Sequence, residues 1–111
     1  ENYRYVLAKL GEAYVGFVGY APRYQGQEEM YLSKAYILPQ GRGQGVVGAL
    51  FRLVEEETKK EGLSRVRLTV NKGNAHAKAV YEHYGYRTVE AVQSDIGGGY
   101  VMDDYVMVKE L

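Results

Sequence analysis

The feature that most constrains the fold is a glycine-rich turn between a strand-like segment and a helix. Residues 30–38 (MYLSKAYIL) favour a β-strand that Pro39 stops, and residues 40–45 (QGRGQG) follow as a turn. From Gly45 onward the apolar residues recur at helical spacing, with one face formed by Val46, Leu50, Leu53 and Val54. The exposed backbone N–H groups and the positive end of such a helix suit a phosphate or pyrophosphate, and Arg42 adds a fixed charge. The turn therefore predicts an anion-binding loop.

The rest of the chain predicts a mixed sheet around that turn. A second helix covers about residues 74–84, with Asn74 as its N-cap. The remaining strand-like stretches are 3–10, 13–20, 63–71, 86–93 and 100–109. Along 63–71, Val66, Leu68 and Val70 alternate with polar residues. The order β-β-β-α-β-α-β-β contains a central β-α-β unit, which implies a parallel strand pair and a right-handed crossover. The predicted class is α/β (α+β), with a mixed sheet flanked by helices.

Composition narrows the function classes. The 111 residues are enough for one domain, residues 1–111. The 14 Lys and Arg residues balance the 14 Asp and Glu residues, which argues against nonspecific electrostatic binding of nucleic acid. No apolar run approaches the roughly 20 residues of a membrane helix. The sequence contains no cysteine, which excludes disulfides and a cysteine nucleophile. With only two histidines and no cysteine, we expect no metal site. We expect a cytoplasmic protein, with most of the 12 tyrosine rings buried.

Several phosphate-binding schemes compete for the turn. Gly43-x-Gly45-x-x-Gly48 fits the dinucleotide fingerprint, but the strand over 63–71 ends without the acid that would hold a ribose. A Walker A loop needs Gly-Lys-Ser/Thr, which does not occur. A nucleotide-binding module stays open as an alternative.

A third scheme covers more of the sequence. The run from Tyr36 to Leu50 resembles the acetyl-CoA loop of the GCN5-related N-acetyltransferases (the GNAT family), in which a strand and a proline precede Arg/Gln-x-x-Gly-x-Gly/Ala at the start of a helix. Pro39 sets the register here as RGQGVV, residues 42–47, with Val47 where the family prefers Gly or Ala. A shifted reading from Gln40 satisfies the pattern literally but misplaces the proline.

The second helix carries a further resemblance. Residues 74–86 (NAHAKAVYEHYGY) are similar to the family signature Asn-x-x-Ala-x-x-Leu-Tyr-Glu-x-x-Gly-Phe. The two signatures occur in family order and spacing, and the resemblance covers roughly residues 5–109.

The resemblance implies an acyl-CoA N-acyltransferase-like fold, a splayed sheet and acetyl-CoA as cosubstrate, without a metal. The pantetheine arm would lie beside the strand that ends at Leu38, and the pyrophosphate on the amides of the turn. Tyr81 would be catalytic and would protonate the departing thiolate. The implied cofactor-binding residues are Ile37, Leu38, Arg42, Gly43, Gln44, Gly45, Val46, Val47 and Asn74.

The implied acceptor is a primary amine, either a small amine or a protein amine. Residues 94–111 are similar to a subgroup that includes polyamine acetyltransferases. Glu28 and Glu29 are candidates for removing the proton of the amine, and Asp95, Asp103 and Asp104 could attract a cationic amine. The family's usual N-terminal strand and two helices are missing, so we expect an N-terminally incomplete domain or a supplementing chain. A homodimer and a non-catalytic CoA-binding module stay open.

Thermal shift separates the acetyl-CoA and dinucleotide schemes. We expect acetyl-CoA to raise the melting temperature and NAD to leave it unchanged, because the chain lacks the ribose-binding acid. A ligand at 100 times its Kd stabilises a protein by about 2.7 kcal/mol. Equal shifts with both ligands would contradict the acetyl-CoA reading.

Overall fold

The secondary-structure elements follow the order predicted from the sequence. A computed structural model describes residues 3–38 and 45–111, with the backbone alone described for 94–96 and 100–102. The strands are β1 (Arg4–Leu10), β2 (Ala13–Pro22), β3 (Met30–Ile37), β4 (Arg65–Asn71), β5 (Arg87–Gly97) and β6 (Tyr100–Glu110). The helices are α1 (Val46–Lys60) and α2 (Ala75–His83), and a short 3₁₀ turn (Tyr24–Gly26) lies between β2 and β3.

Hydrogen bonds connect the strands in the order β1-β2-β3-β4-β6-β5. β1, β2 and β3 form an antiparallel meander, and β5 and β6 form an antiparallel hairpin. The predicted mixed sheet with flanking helices is confirmed, while its splay stays a prediction. The chain divides into two compact units, one of residues up to Val66 together with Leu111 and the other Arg67–Glu110.

In the first unit, α1 buries its apolar face against β2 and β3. Leu50, Phe51 and Val54 are all buried, with Phe51 only 2% and Val54 0% exposed. The predicted face included Leu53, which is half-buried, and omitted Phe51. The difference arises because the buried stripe is centred on positions 50, 51, 54 and 58, so that position 53 falls at its margin.

Thr58 is the polar member of this buried stripe. Its hydroxyl donates a hydrogen bond to the carbonyl oxygen of Val54 at 2.6 Å. A buried hydroxyl with such a partner avoids the cost of an unsatisfied polar group, so Thr58 is compatible with the core.

Two arginines bind the C-terminal end of α1. The carboxylate of Glu61 accepts hydrogen bonds from Arg4 of β1 at 3.0 Å and from Arg23 at 3.2 Å. Arg23 also donates to the Glu61 carbonyl oxygen at 2.7 Å. Cations near the last carbonyls of a helix interact favourably with its dipole. These contacts therefore connect β1 and the β2–β3 loop to the end of the helix.

The face of β1 that points away from α1 is rich in exposed aromatic and apolar side chains. Arg4 contacts α1, so the alternation along a strand turns Tyr5 and Leu7 the other way, where they are 57% and 60% exposed. The Tyr5 ring covers Gly19, and a Cβ added there would lie 2.6 Å from it. The expectation of buried tyrosine rings is therefore wrong for Tyr5, and also for Tyr14 and Tyr36, which are exposed.

In the second unit, β5 extends to Gly97 rather than ending near residue 93. Gly97 pairs with Tyr100, which leaves Gly98 and Gly99 as a two-residue turn with φ of 61° and 80°. Positive φ at both positions is typical of a type I′ hairpin turn, whose twist matches that of the strands. The glycines therefore make a tight hairpin instead of a loop.

Within the described residues, no helix is long and apolar enough to cross a membrane.

Candidate functional site

The start of α1 presents backbone donors without a capping side chain. Gly45 is the N-cap residue and adopts a left-handed conformation, with φ of 76°. The amides of Val46, Val47 and Gly48 are first-turn amides, which have no intrahelical acceptor, and a glycine has no side chain to cap them. The first turn carries no acidic side chain that would repel an anion. This helix end can therefore bind an anion through its backbone.

Three of the predicted turn residues, Arg42, Gly43 and Gln44, lie outside the described part of the chain. Ile37 and Leu38 lie at the end of β3. The Ile37 side chain is buried against Gly16, where an added Cβ would lie 2.7 Å from Ile37 Cδ1. The amide of Leu38 donates to the carbonyl oxygen of Val15 at 2.7 Å. Because the side chain of Ile37 is buried in the core, only its backbone can contact a cofactor.

Asn74 is the N-cap of α2, as predicted from the sequence. Its side-chain oxygen accepts a hydrogen bond from the amide of Ala77 at 3.1 Å. The preceding turn is closed by the side chain of Asn71, which accepts from the amide of Gly73 at 2.8 Å. Capping uses the oxygen of Asn74, while its exposed side-chain NH₂ group is a donor that can reach a ligand.

Tyr81 lies near the end of α2 and is half-buried. Burial raises the pKa of its hydroxyl above the ordinary value of about 10, because the charged phenolate loses solvation. Its ring makes an edge-to-face contact with the ring of Tyr86, with centroids 5.9 Å apart and an interplanar angle of 63°. Tyr81 is therefore a phenol that keeps its proton well above neutral pH.

The two glutamates near the β2–β3 loop contact Arg23 in different ways. The Glu28 carboxylate lies 3.7 Å from Arg23 in an ion pair, whereas the backbone carbonyl oxygen of Glu29 accepts from the Arg23 amide at 3.0 Å. These contacts shape the loop.

The acids of β6 occupy different environments. Asp103 forms an ion pair with Lys72 at 2.7 Å, and this contact raises the pKa of the Lys72 ammonium. Asp104 is only 7% exposed, and its charge also acts on Lys72 and contributes to the raised pKa of that ammonium. The side chain of Asp95 lies outside the described part. Among the described residues, no group of three or more His, Cys, Asp or Glu side chains is arranged to hold a metal ion.

The contact between Tyr81 and Tyr86 and the burial of Asp104 are site features that sequence reasoning missed. Tyr86 is in the second signature, but nothing in the spacing shows that its ring touches that of Tyr81. Asp103 and Asp104 are identical in type and adjacent, so only the packed strand distinguishes the paired carboxylate from the buried one.

Comparison with known proteins assigns this arrangement to a family. An uncharacterized N-acetyltransferase of Mycobacterium bovis is 36% identical over 95 residues, which are 85% of this chain. The chain spans 60% of the length of that relative.

Two solved structures share the fold. The PaiA N-acetyltransferase of Thermoplasma acidophilum, in complex with coenzyme A, is 20% identical with a TM-score of 0.78, over 98% of this chain and 61% of that one. A GNAT family acetyltransferase of Elizabethkingia anophelis with acetyl-CoA bound is 17% identical with a TM-score of 0.80, over 96% of this chain and 75% of that one.

The model of the Acetyltransferase (GNAT) family matches residues 1–86. The chain therefore belongs to the GNAT acetyltransferase family.

Proposed function

We propose that residues 1–111 form one acetyl-CoA-binding domain of an N-acetyltransferase that moves an acetyl group directly to a primary amine. The observation that carries the proposal is Tyr81, a half-buried phenol with a raised pKa at the tyrosine position of the second family signature. The amine and acetyl-CoA would react in a ternary complex, because the chain has no cysteine to carry the acetyl group as a thioester.

The cofactor would bind through the start of α1. The amides of Val46, Val47 and Gly48 would donate hydrogen bonds to the pyrophosphate, and the positive end of the helix would favour its charge. The resemblance assigns the side-chain NH₂ of Asn74 and the backbone of Ile37 and Leu38 to the pantetheine arm. It assigns Arg42, Gly43 and Gln44 to the phosphates. The coenzyme A and acetyl-CoA in two structural neighbours support this choice of ligand.

Tyr81 acts as the general acid. The neutral amine attacks the thioester carbonyl carbon, a C–N bond forms, and the C–S bond then breaks. A thiol titrates near about 8.5 and a phenol near about 10, so a protonated Tyr81 can donate its proton to the departing thiolate. The attacking nitrogen loses one of its protons, which restores the phenol of Tyr81 and leaves the amide product and free CoA.

The acceptor is a small polyamine. Asp104 is only 7% exposed, and a bound ammonium group would interact favourably with its carboxylate because charge contacts are stronger where water is largely excluded. A polyamine can place one ammonium on Asp104 while another nitrogen, in its neutral form, reacts. The similarity of residues 94–111 to the subgroup with polyamine acetyltransferases supports the same acceptor.

Tyr81→Phe tests the general acid. We expect kcat to fall by about 10²-fold, the lower end of general-acid contributions, while the Kd for acetyl-CoA is unchanged. Because burial raises the pKa of Tyr81, the wild-type rate should fall, as the phenol ionises, at a higher pH than an ordinary phenol would give. The Phe variant should lack this fall. Steady-state kinetics against pH on the full-length protein, with calorimetry of acetyl-CoA binding, measures both.

Tyr84→Phe is the matched control, because Tyr84 is also half-buried and follows Tyr81 by three residues. It should keep the wild-type rate. A Tyr81→Phe variant with wild-type kcat would leave Tyr81 as a packing residue. A protein that binds acetyl-CoA but acetylates no amine in a panel would favour the non-catalytic module.

Gly45→Val tests the start of α1. A Cβ at Gly45 would meet nothing within 4 Å, so any loss must come from its positive φ or from a bound ligand. A left-handed conformation costs an ordinary residue roughly 1–2 kcal/mol, and Asn tolerates it better. We expect Gly45→Val to lower the melting temperature and weaken CoA binding, Gly45→Asn to do so less, and Val47→Ala to do neither. A harmless Gly45→Val would contradict the predicted register of the turn.

Asp104→Asn tests the acceptor site. We expect the KM for a polyamine to rise about tenfold or more, since a hydrogen-bonded charge contact is worth about 1.5–3 kcal/mol. The KM for a monoamine of similar length should be unchanged, because it has no second ammonium. Asp103→Asn is the control, since its carboxylate is paired with Lys72. Equal KM changes for both amines would assign Asp104 to folding.

A further inference from the structure

The C-terminal end of α2 has a specific hydrogen-bonding pattern. Gly85 has φ of 98°, in the left-handed region. The amide of Tyr86 donates to the carbonyl oxygen of Tyr81 at 3.0 Å, and the amide of Gly85 donates to that of Glu82 at 3.0 Å. These 6→1 and 5→2 bonds form a Schellman motif, which satisfies the last carbonyls of a helix. The carbonyl of Tyr81 is therefore bound by the residue that follows the helix-ending glycine.

The side chains of the same two residues are also in contact. Tyr86 is 4% exposed and immediately precedes β5, so its ring is held in the core of the second unit. The ring of Tyr81 packs edge-to-face against it at 5.9 Å, within the range of favourable aromatic pairs. No side chain of α2 itself is fully buried. Tyr86 thus gives Tyr81 a contact with a fixed group.

We infer that Gly85 and Tyr86 are positioning residues for Tyr81, and that the Schellman motif aims the Tyr81 hydroxyl at the departing sulfur. This inference rests on the proposed function. The backbone bond fixes the main chain of Tyr81, and the ring contact restricts its side-chain rotamers. A misplacement of about 1 Å can cost as much as 10²-fold in rate, so a loosely held phenol would be a poor acid.

Ending a helix does not by itself require this arrangement. A left-handed glycine suffices to stop α2, and at Gly85 a Cβ would also lie 3.1 Å from Cε of Lys109. The aromatic ring of Tyr86 is not needed for that purpose, since a buried leucine could fill the core at the start of β5. The ring contact with Tyr81 is the feature that points to positioning.

The test is a double-mutant cycle on the full-length protein, with Tyr86→Leu and Tyr81→Phe alone and combined. We expect Tyr86→Leu to lower kcat by roughly 10-fold to 10²-fold while the KM for acetyl-CoA is unchanged. The fall of its rate at high pH should move toward pH 10, because Tyr81 becomes more solvated. In the Tyr81→Phe background the same substitution should leave kcat unaltered. Tyr86→Phe, which keeps the ring, should restore the wild-type rate and pH profile.

Gly85→Ala keeps both rings and strains the turn, where its Cβ would also approach the flexible Lys109 side chain, so it provides a second variant if Tyr86→Leu does not fold. It should show the same dependence on Tyr81. An equal loss of kcat in both backgrounds would overturn the inference and leave Tyr86 and Gly85 as structural residues. The general-acid proposal fails separately, if Tyr81→Phe alone has wild-type kcat.

Discussion

The burial of α1 on β2 and β3 is the interaction on which the first unit depends. Fully burying a large apolar side chain contributes about 1.5–3 kcal/mol, and Leu50, Phe51 and Val54 are all buried. A side-chain N-cap contributes about 1 kcal/mol. Packing therefore outweighs capping in this helix, and Gly45 can begin it without a capping side chain. The amides that we assign to the pyrophosphate are free of a cap because the other side of the helix supplies its stability.

α2 is stabilised in a different way. It has nine residues, none of them fully buried, and isolated helices shorter than about 12–15 residues are marginal in water. Its ends supply defined contacts instead, with the Asn74 cap at one and the Schellman motif at the other. The Lys78–Glu82 ion pair at 2.9 Å adds modest support along its exposed face. Both proposed functional residues of this helix, Asn74 and Tyr81, lie where these end contacts act.

The elements with a strong period were predictable from the sequence. The alternation of Val66, Leu68 and Val70 along β4 was predicted, because one buried face imposes a period of two. The burial of Phe51 was not predicted, because the buried stripe of a helix can shift by one position when the surface that it packs against is unknown. Side-chain contacts between elements, such as that of Lys72 with Asp103, could not be predicted from the sequence either. The spacing of residues predicts which of them share a face of one strand or helix, but it does not predict which residues of other elements they contact.

The two ends of α1 differ in their electrostatic state. At the C-terminal end, the guanidinium groups of Arg4 and Arg23 gather around Glu61, so the partial negative charge of the helix is compensated within the protein. At the N-terminal end, the first turn has no acidic side chain, so no residue of that turn compensates the partial positive charge. A phosphate bound there would complete the balance. Ligand affinity and helix stability would then be linked, because a phosphate that binds only the folded start of the helix also stabilises the folded state.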